Sequence, residues 1–304
     1  LVDQGISPTT TVNTSTTTTD ALNNLVPHTN VSSAADIGAL EYGGTVWTAG
    51  IDWTPKFHTA IWKTTASTTA WNTATNWSTG AVPTTDVNVL IPTGASNYPV
   101  ISSSGAAAKN ITVNTSATLI INRDSDLTLS GNLVNRGTIT LNSDADEFAS
   151  IIVQGTSSGN IIYKRYVADE GSDEWDLIGS PVAGQSISSF VSANSSIADE
   201  GSQYGIGVFS NDGSTDTAAA MYTNYTTGNV GDAGNFTAGQ GYAMATDEAD
   251  TPGTTLDFTG TIRTTDLTGV AIDDNSSNAT NFGKWNLVAN PFPSYLNANS
   301  DAHA

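Results

Sequence analysis

Between residues 87 and 155 the chain is a series of short alternating segments, and no other feature restricts its fold as much. Val87, Val89 and Ile91 alternate with polar residues. The same holds for Asn110-Ile-Thr-Val-Asn114, Ala117-Thr-Leu-Ile-Ile-Asn122, Asp126-Leu-Thr-Leu-Ser-Gly131, Gly137-Thr-Ile-Thr-Leu-Asn142 and Ser150-Ile-Ile-Val-Gln-Gly155. Each segment has the length and period of a strand and is bounded by Asn, Asp, Ser or Gly. Such a strand cannot bury its apolar face alone, so stacked neighbours must complete the core. Hairpins in a β-sandwich would give a similar spacing. No Asn-Gly or Asp-Gly hairpin turn separates these segments, however, and the pattern predicts a β-solenoid.

A second pattern is written twice, as Trp175-Asp-Leu-Ile-Gly-Ser-Pro181 and as Trp285-Asn-Leu-Val-Ala-Asn-Pro291. Each copy predicts a short buried strand, stopped by a small-residue turn and a proline that cannot donate to a ladder. The apolar context places both Trp side chains in a core, as paired structural strands and not as a sugar platform. Further strand patterns lie between the copies (Tyr204–Phe209, Ala220–Tyr225, Gly234–Met244, Thr255–Ile262), with one helical turn near Ser186–Val191. Loops rich in Asp, Gly, Ser and Asn join them, as in a two-sheet antiparallel module.

Composition decides what such a chain can meet. Apolar residues are 38% and charged residues 12%, both below ordinary usage of about 45–50% and 25%. The excess of Thr, Ser, Asn and Gly suits strands and turns and leaves little for helix. Nine Lys and Arg against 29 Asp and Glu give a net charge of −20. That field repels nucleic acid and anionic lipid surfaces. Cysteine is absent, so any secreted form rests on burial or bound ions without disulfides. No apolar run approaches the ~20 residues of a membrane span. No basic leader precedes the first residues, and Leu1 begins inside a pattern, so the chain reads as a processed piece or a fragment.

Family resemblances extend this reading. Leu1-Val-Asp-Gln-Gly5 followed by Ala35-Asp-Ile-Gly-Ala-Leu-Glu-Tyr42 resembles the closing coils of pectate-lyase-like, right-handed parallel β-helices, with Leu40 where an aromatic is common. Most of such a helix would lie upstream. Trp71, Trp77, Gly80 and Pro83, ahead of the first alternating strand, resemble the entry to solenoid modules of secreted Bacteroidota proteins, with Trp71 and Trp77 as anchors of a cap. Lys164-Arg-Tyr166, the two Trp repeats, Gly239-Gln-Gly-Tyr242, Phe258-Thr-Gly260 and Tyr295 resemble a module near the C-terminus of large Bacteroidota surface proteins. That module often precedes a sorting domain for type IX secretion, which implies the type IX machinery as export route and an extracellular or cell-surface location.

The expected fold is all-β: the end of a right-handed parallel β-helix over 1–44, a connector over 45–70, a short β-solenoid module over 71–159, and an antiparallel β-sandwich-like module over 160–304.

Chemistry is sparse. His28, His58 and His303 stand far apart with no metal or triad spacing, and no nucleophile elbow or phosphate loop appears. The carboxylates of Asp144, Asp146 and Glu147, or of Asp169, Glu170, Asp173 and Glu174, sit in no glycosidase motif and read as solvated loop charge. Calcium is the one cofactor the residues suggest. Asp212 and Asp216 within Asn211–Asp216, and Asp273 with Asp274, supply hard oxygen donors, though without the closing Glu of an EF-hand loop. These readings give a non-enzymatic extracellular structural or adhesive part of a modular bacterial surface protein. Its expected partners are glycans or copies of itself, with no nucleic acid and no membrane insertion. The alternative is an accessory tail of a secreted polysaccharide-degrading enzyme whose catalytic β-helix lies upstream.

Overall fold

A computed structural model describes residues 59–172, 175–211, 221–276 and 283–296, with the backbone of two strands further upstream. The chain divides into two compact units, Leu1–Lys56 and Phe57–Ala304. In the first, β1 (Thr17–Thr19) pairs antiparallel with β2 (Leu25–Pro27). The β-helix signature at Ala35–Tyr42 and the start of the connector lie outside the described residues.

The second unit opens with a solenoid. Strand β3 (Thr59–Ile61) begins it, inside the stretch read from sequence as connector, and pairs parallel with β4 (Asn88–Ile91). The first turn continues through β5 (Val100–Ile101) and β6 (Ala106–Ala108). A second turn follows as β7 (Ile111–Val113), β8 (Thr118–Ile121) and β9 (Asp126–Leu129). The third is β10 (Leu133–Asn135), β11 (Thr138–Leu141) and β12 (Ser150–Val153). Strands of successive turns stack in parallel on three faces. The alternation seen in the sequence is thus the inward and outward period of a rung. Val89, Ile111 and Leu133 form one buried column. Ile101, Ile121 and Leu141 form a second, and Ala108, Leu129 and Val153 a third. Burying one such Leu or Ile contributes about 1.5–3 kcal/mol.

Asparagines hold the turns in register. Asn110 Nδ2 donates to Asn88 Oδ1 at 2.7 Å, 22 residues away, and Asn110 Oδ1 accepts from the Asn132 backbone N–H at 2.6 Å, 22 residues on. Asn132 Oδ1 then accepts from the Thr156 backbone at 2.8 Å across 24 residues. On another corner Asn142 donates to Asn122, and Asn122 to Ser102, each across 20 residues. One side chain per turn satisfies a corner whose backbone leaves the sheet.

Both ends of the solenoid are covered. At the start, Trp62, Trp71 and Trp77 are buried, with Trp77 edge-on to Trp62 (4.9 Å between centroids) and to Trp71 (4.8 Å). Trp77 Nε1 donates to the Trp71 carbonyl at 2.8 Å, and Trp62 Nε1 to the Asn97 carbonyl at 2.7 Å. At the far end, after the short β13 (Ser157–Ser158), β14 (Ile161–Ala168) stacks parallel on β11. Its other edge is occupied from end to end by β19 (Gly253–Gly260), running antiparallel. β19 thereby takes the edge position of that sheet, beyond the last rung.

The remaining strands form a separate antiparallel sheet, as expected. β15 (Asp176–Ile178) is one edge, followed in space by β18 (Tyr242–Met244), β16 (Gln203–Phe209) and β17 (Tyr222–Thr226). The helical turn expected after Ser186 is a seven-residue helix, α1 (Ile187–Ala193), capped by the Ser186 side chain, which accepts from the Ser189 N–H. It buries Ile187 and Phe190, and Phe190 stacks on Phe258 of β19 at 4.5 Å.

Candidate binding surface

The two Trp repeats meet at one segment of the antiparallel sheet. Ile178 of the first copy pairs with Tyr242, and Val288 of the second bridges Gln240. The equivalent positions Gly179 and Ala289 touch, since a Cβ on Gly179 would run into that of Ala289. Asn211 fixes the second copy. Its buried side chain donates to the carbonyls of Asp273 (3.0 Å), Gly283 (3.2 Å) and Trp285 (3.0 Å).

The expected burial of both tryptophans is overturned. Trp175 is 37% exposed and Trp285 63%, with Leu177 at 56% and Val288 at 54%. The physical reason is the position of β15. Period 2 sends Trp175, just ahead of β15, and Leu177 to one face, and Leu177 there borders an open cleft and not a packed core. What each copy buries is its tail: Ile178, Ser180 and Pro181 in the first, Pro291 in the second. The second copy is joined by a single bridge and is not a full strand.

Beyond Pro291 the chain returns to the solenoid. The Pro293 carbonyl accepts from the Ile151 N–H at 2.8 Å, on β12. Tyr295 stacks on Phe148 at 4.0 Å between centroids, and its hydroxyl donates to the Phe148 carbonyl at 3.0 Å. Arg165 of β14 lies over Phe148, 4.3 Å from its ring centre. Between these groups and the two repeats opens a cleft of about 290 Å³, lined by Arg165, Leu177, Pro181, Val288 and Phe292 among others. Burial pushes the Tyr163 hydroxyl, at the cleft floor, far above the usual phenol range. That group remains a neutral donor, bonded to the Ala149 carbonyl at 3.1 Å.

The sequence missed Arg165, Phe148 and Tyr295 as partners. Only parity could have flagged the arginine: Ile161, Tyr163, Arg165 and Val167 share the inward face of β14, and three of the four are core.

Of the proposed calcium ligands, Asp212 and Asp216 lie outside the described residues. Asp273 is tied through its main chain to Asn286, and the Asp274 carboxylate accepts from the Ser276 N–H at 3.0 Å. Hydrogen bonds from Ser276, with Lys284 at 3.8 Å, hold Asp274 below the usual carboxylate range. Among the described residues no group of three or more His, Cys, Asp or Glu is placed to hold a metal.

Acidic charge gathers instead around Glu170. Burial, and then the charges of Glu200, Asp247, Glu248 and Asp169, raise its pKa above the usual carboxylate value. Folded Glu170 therefore takes up its proton at higher pH than the unfolded chain does. Stability falls as pH rises from the ordinary carboxylate range through that raised value. Glu170→Gln is expected to raise the melting midpoint at pH 7 by about 1–2 °C. The gain should vanish near pH 4, where the unfolded carboxyl is itself protonated. Melting curves at the two pH values check this, and an equal gain at both would contradict it.

The fold and this surface define the class: an all-β protein in which a short β-solenoid carries an antiparallel module with an open, partly aromatic face. The chain belongs to the family described as a domain of unknown function, DUF8693, whose profile matches residues 61–303. Comparison with curated proteins and with solved structures finds no match. Among the described residues no helix is long and apolar enough to cross a membrane.

Proposed function

We propose that this chain is a non-enzymatic structural and adhesive module of an extracellular bacterial protein. The solenoid serves as a stiff spacer and the repeat-bearing face as the contact surface. The observation that carries this reading is the exposure of Trp175, Leu177, Trp285 and Val288, presented by a core that would otherwise bury such residues. Leu177 and Val288 line one cleft, and grouped apolar residues on a surface mark interaction sites more often than scattered ones do. The absence of cysteine and the charge of −20 are compatible with an extracellular setting. The resemblance to Bacteroidota surface modules supports type IX secretion as the route.

The test is attachment. Surfaces coated with the full chain should retain cells or further copies of the chain. The double variant Trp175→Ala, Trp285→Ala should lose that retention while melting like the parent, because both rings are outside the core. Release of shorter products from any of a panel of acidic polysaccharides would overturn the non-enzymatic reading and favour the accessory-tail alternative.

A further inference from the structure

Arg165 is the feature that the architecture leaves unexplained. It occupies an inward position of β14, on the face where Ile161, Tyr163 and Val167 are 0%, 3% and 0% exposed. The chain carries 29 acidic residues, yet among the described residues no carboxylate pairs with this guanidinium. Three other cations do meet carboxylates: Arg123 pairs with Asp144 and Glu147, Lys164 with Asp257, and Lys284 with Asp274. Arg165 has instead the face of Phe148 and the cleft. A half-buried cation without a counter-ion is costly to fold and suits a site completed by a bound anion.

Four observations narrow the anion. Part of the wall is aliphatic, formed by Leu177, Ile178, Pro181 and Val288, beside the polar side chains of Asn290 and Ser294. The nearby Asn290 amide is already engaged, donating to the Ser294 carbonyl and accepting from the Phe292 N–H. Besides Arg165, the Ser294 hydroxyl is then the main side-chain hydrogen-bonding group left for a sugar. The chain's charge of −20 opposes a polyanion, whereas a single negative group on an apolar body meets little repulsion. The volume, about 290 Å³, lies at the small end of ligand sites and fits a chain end better than a polymer. Finally, β15 beside the cleft is a sheet edge, where the main chain of an extended peptide can add.

We infer that the cleft binds the C-terminal end of an apolar peptide, with its α-carboxylate on Arg165 and its aliphatic side chains against Leu177 and Val288. This rests on the adhesive reading above and gives that face its ligand chemistry.

The experiment is calorimetric titration of the full chain with acetyl-Ala-Val-Leu bearing a free C-terminal carboxylate, and with the same peptide as its C-terminal amide. The acid should bind, and the amide at least about 10-fold more weakly, as loss of a charge-assisted bidentate contact predicts. Arg165→Gln should bring the acid down to the level of the amide. Leu177→Asp, at an exposed position, should weaken both peptides while leaving the melting curve unchanged. This second variant keeps the test decisive even if Arg165→Gln disturbs the packing on Phe148. Equal binding of acid and amide, no binding of either, or Arg165-dependent binding of a uronate oligosaccharide in place of the peptide would each overturn the inference. Attachment is measured separately. Peptide binding with no attachment would sustain this site and sink the adhesive reading, and attachment without peptide binding would do the reverse.

Discussion

Trp77→Ala is expected to cost about 3–5 kcal/mol, the range for deleting a buried large aromatic. At this size of protein that lowers the melting midpoint by roughly 10 °C. Trp77 is fully buried and sits edge-on between Trp62 and Trp71. Its Nε1 bond to the Trp71 carbonyl ties the two loops of the cap together. Removing the ring leaves a cavity over the first turn of the solenoid and strands that carbonyl. Trp285→Ala is the matched control: the same residue type at 63% exposure, expected within about 1 kcal/mol of the parent. Urea denaturation of both variants checks the pair. Similar losses at the two sites would mean that the three-tryptophan cap does not close the core.

Gly159→Ala should cost about 3 kcal/mol or more, and Gly94→Ala only about 1, although the two glycines share almost the same backbone conformation. Their φ values are +83° and +82°. Both substitutions pay the left-handed strain of an L-residue. Nothing lies within 4 Å of a Cβ on Gly94, whereas a Cβ on Gly159 would strike the backbone carbonyl of Asn135, one turn below. That carbonyl cannot swing aside cheaply. The Asn135 side chain reaches up to the Asn160 carbonyl and accepts from the Gly137 N–H at 3.1 Å, so the corner is held from both sides. Thermal melts of the two variants separate strain from collision. If the losses are equal, the stacked corner relaxes more readily than its hydrogen bonds imply.

The contrast between these glycines shows where sequence reading stops. Alternation from Val87 to Gly155 was enough to place the strands and to choose a solenoid, because a half-apolar strand has few ways to hide its face. Spacing alone did not reveal that three strands make one turn. That follows from which residues stack, as when Val89 meets Ile111 and Ile111 meets Leu133. The asparagines at 88, 110 and 132 carry the same repeat, and their separation of 22 residues was the overlooked sign of it.

The Trp repeats failed in the opposite direction. Their apolar context implies burial, yet context along a chain does not say what packs over each face of a strand. Trp175 and Leu177 share the face of the β15 segment that is not packed into the core, and both are exposed. The cleft is a further step removed, since it needs β14, the Phe148 loop, β15 and the segment after Pro291 in one place.

By itself, then, the sequence determined the all-β class, the stacked solenoid and its tryptophan cap, all of which depend on local period and residue type. Tertiary structure alone decided which apolar residues remain exposed and that Arg165 lies over Phe148 in a cleft. Those outcomes depend on what packs across from each residue, and such long-range contacts leave no local period in the sequence.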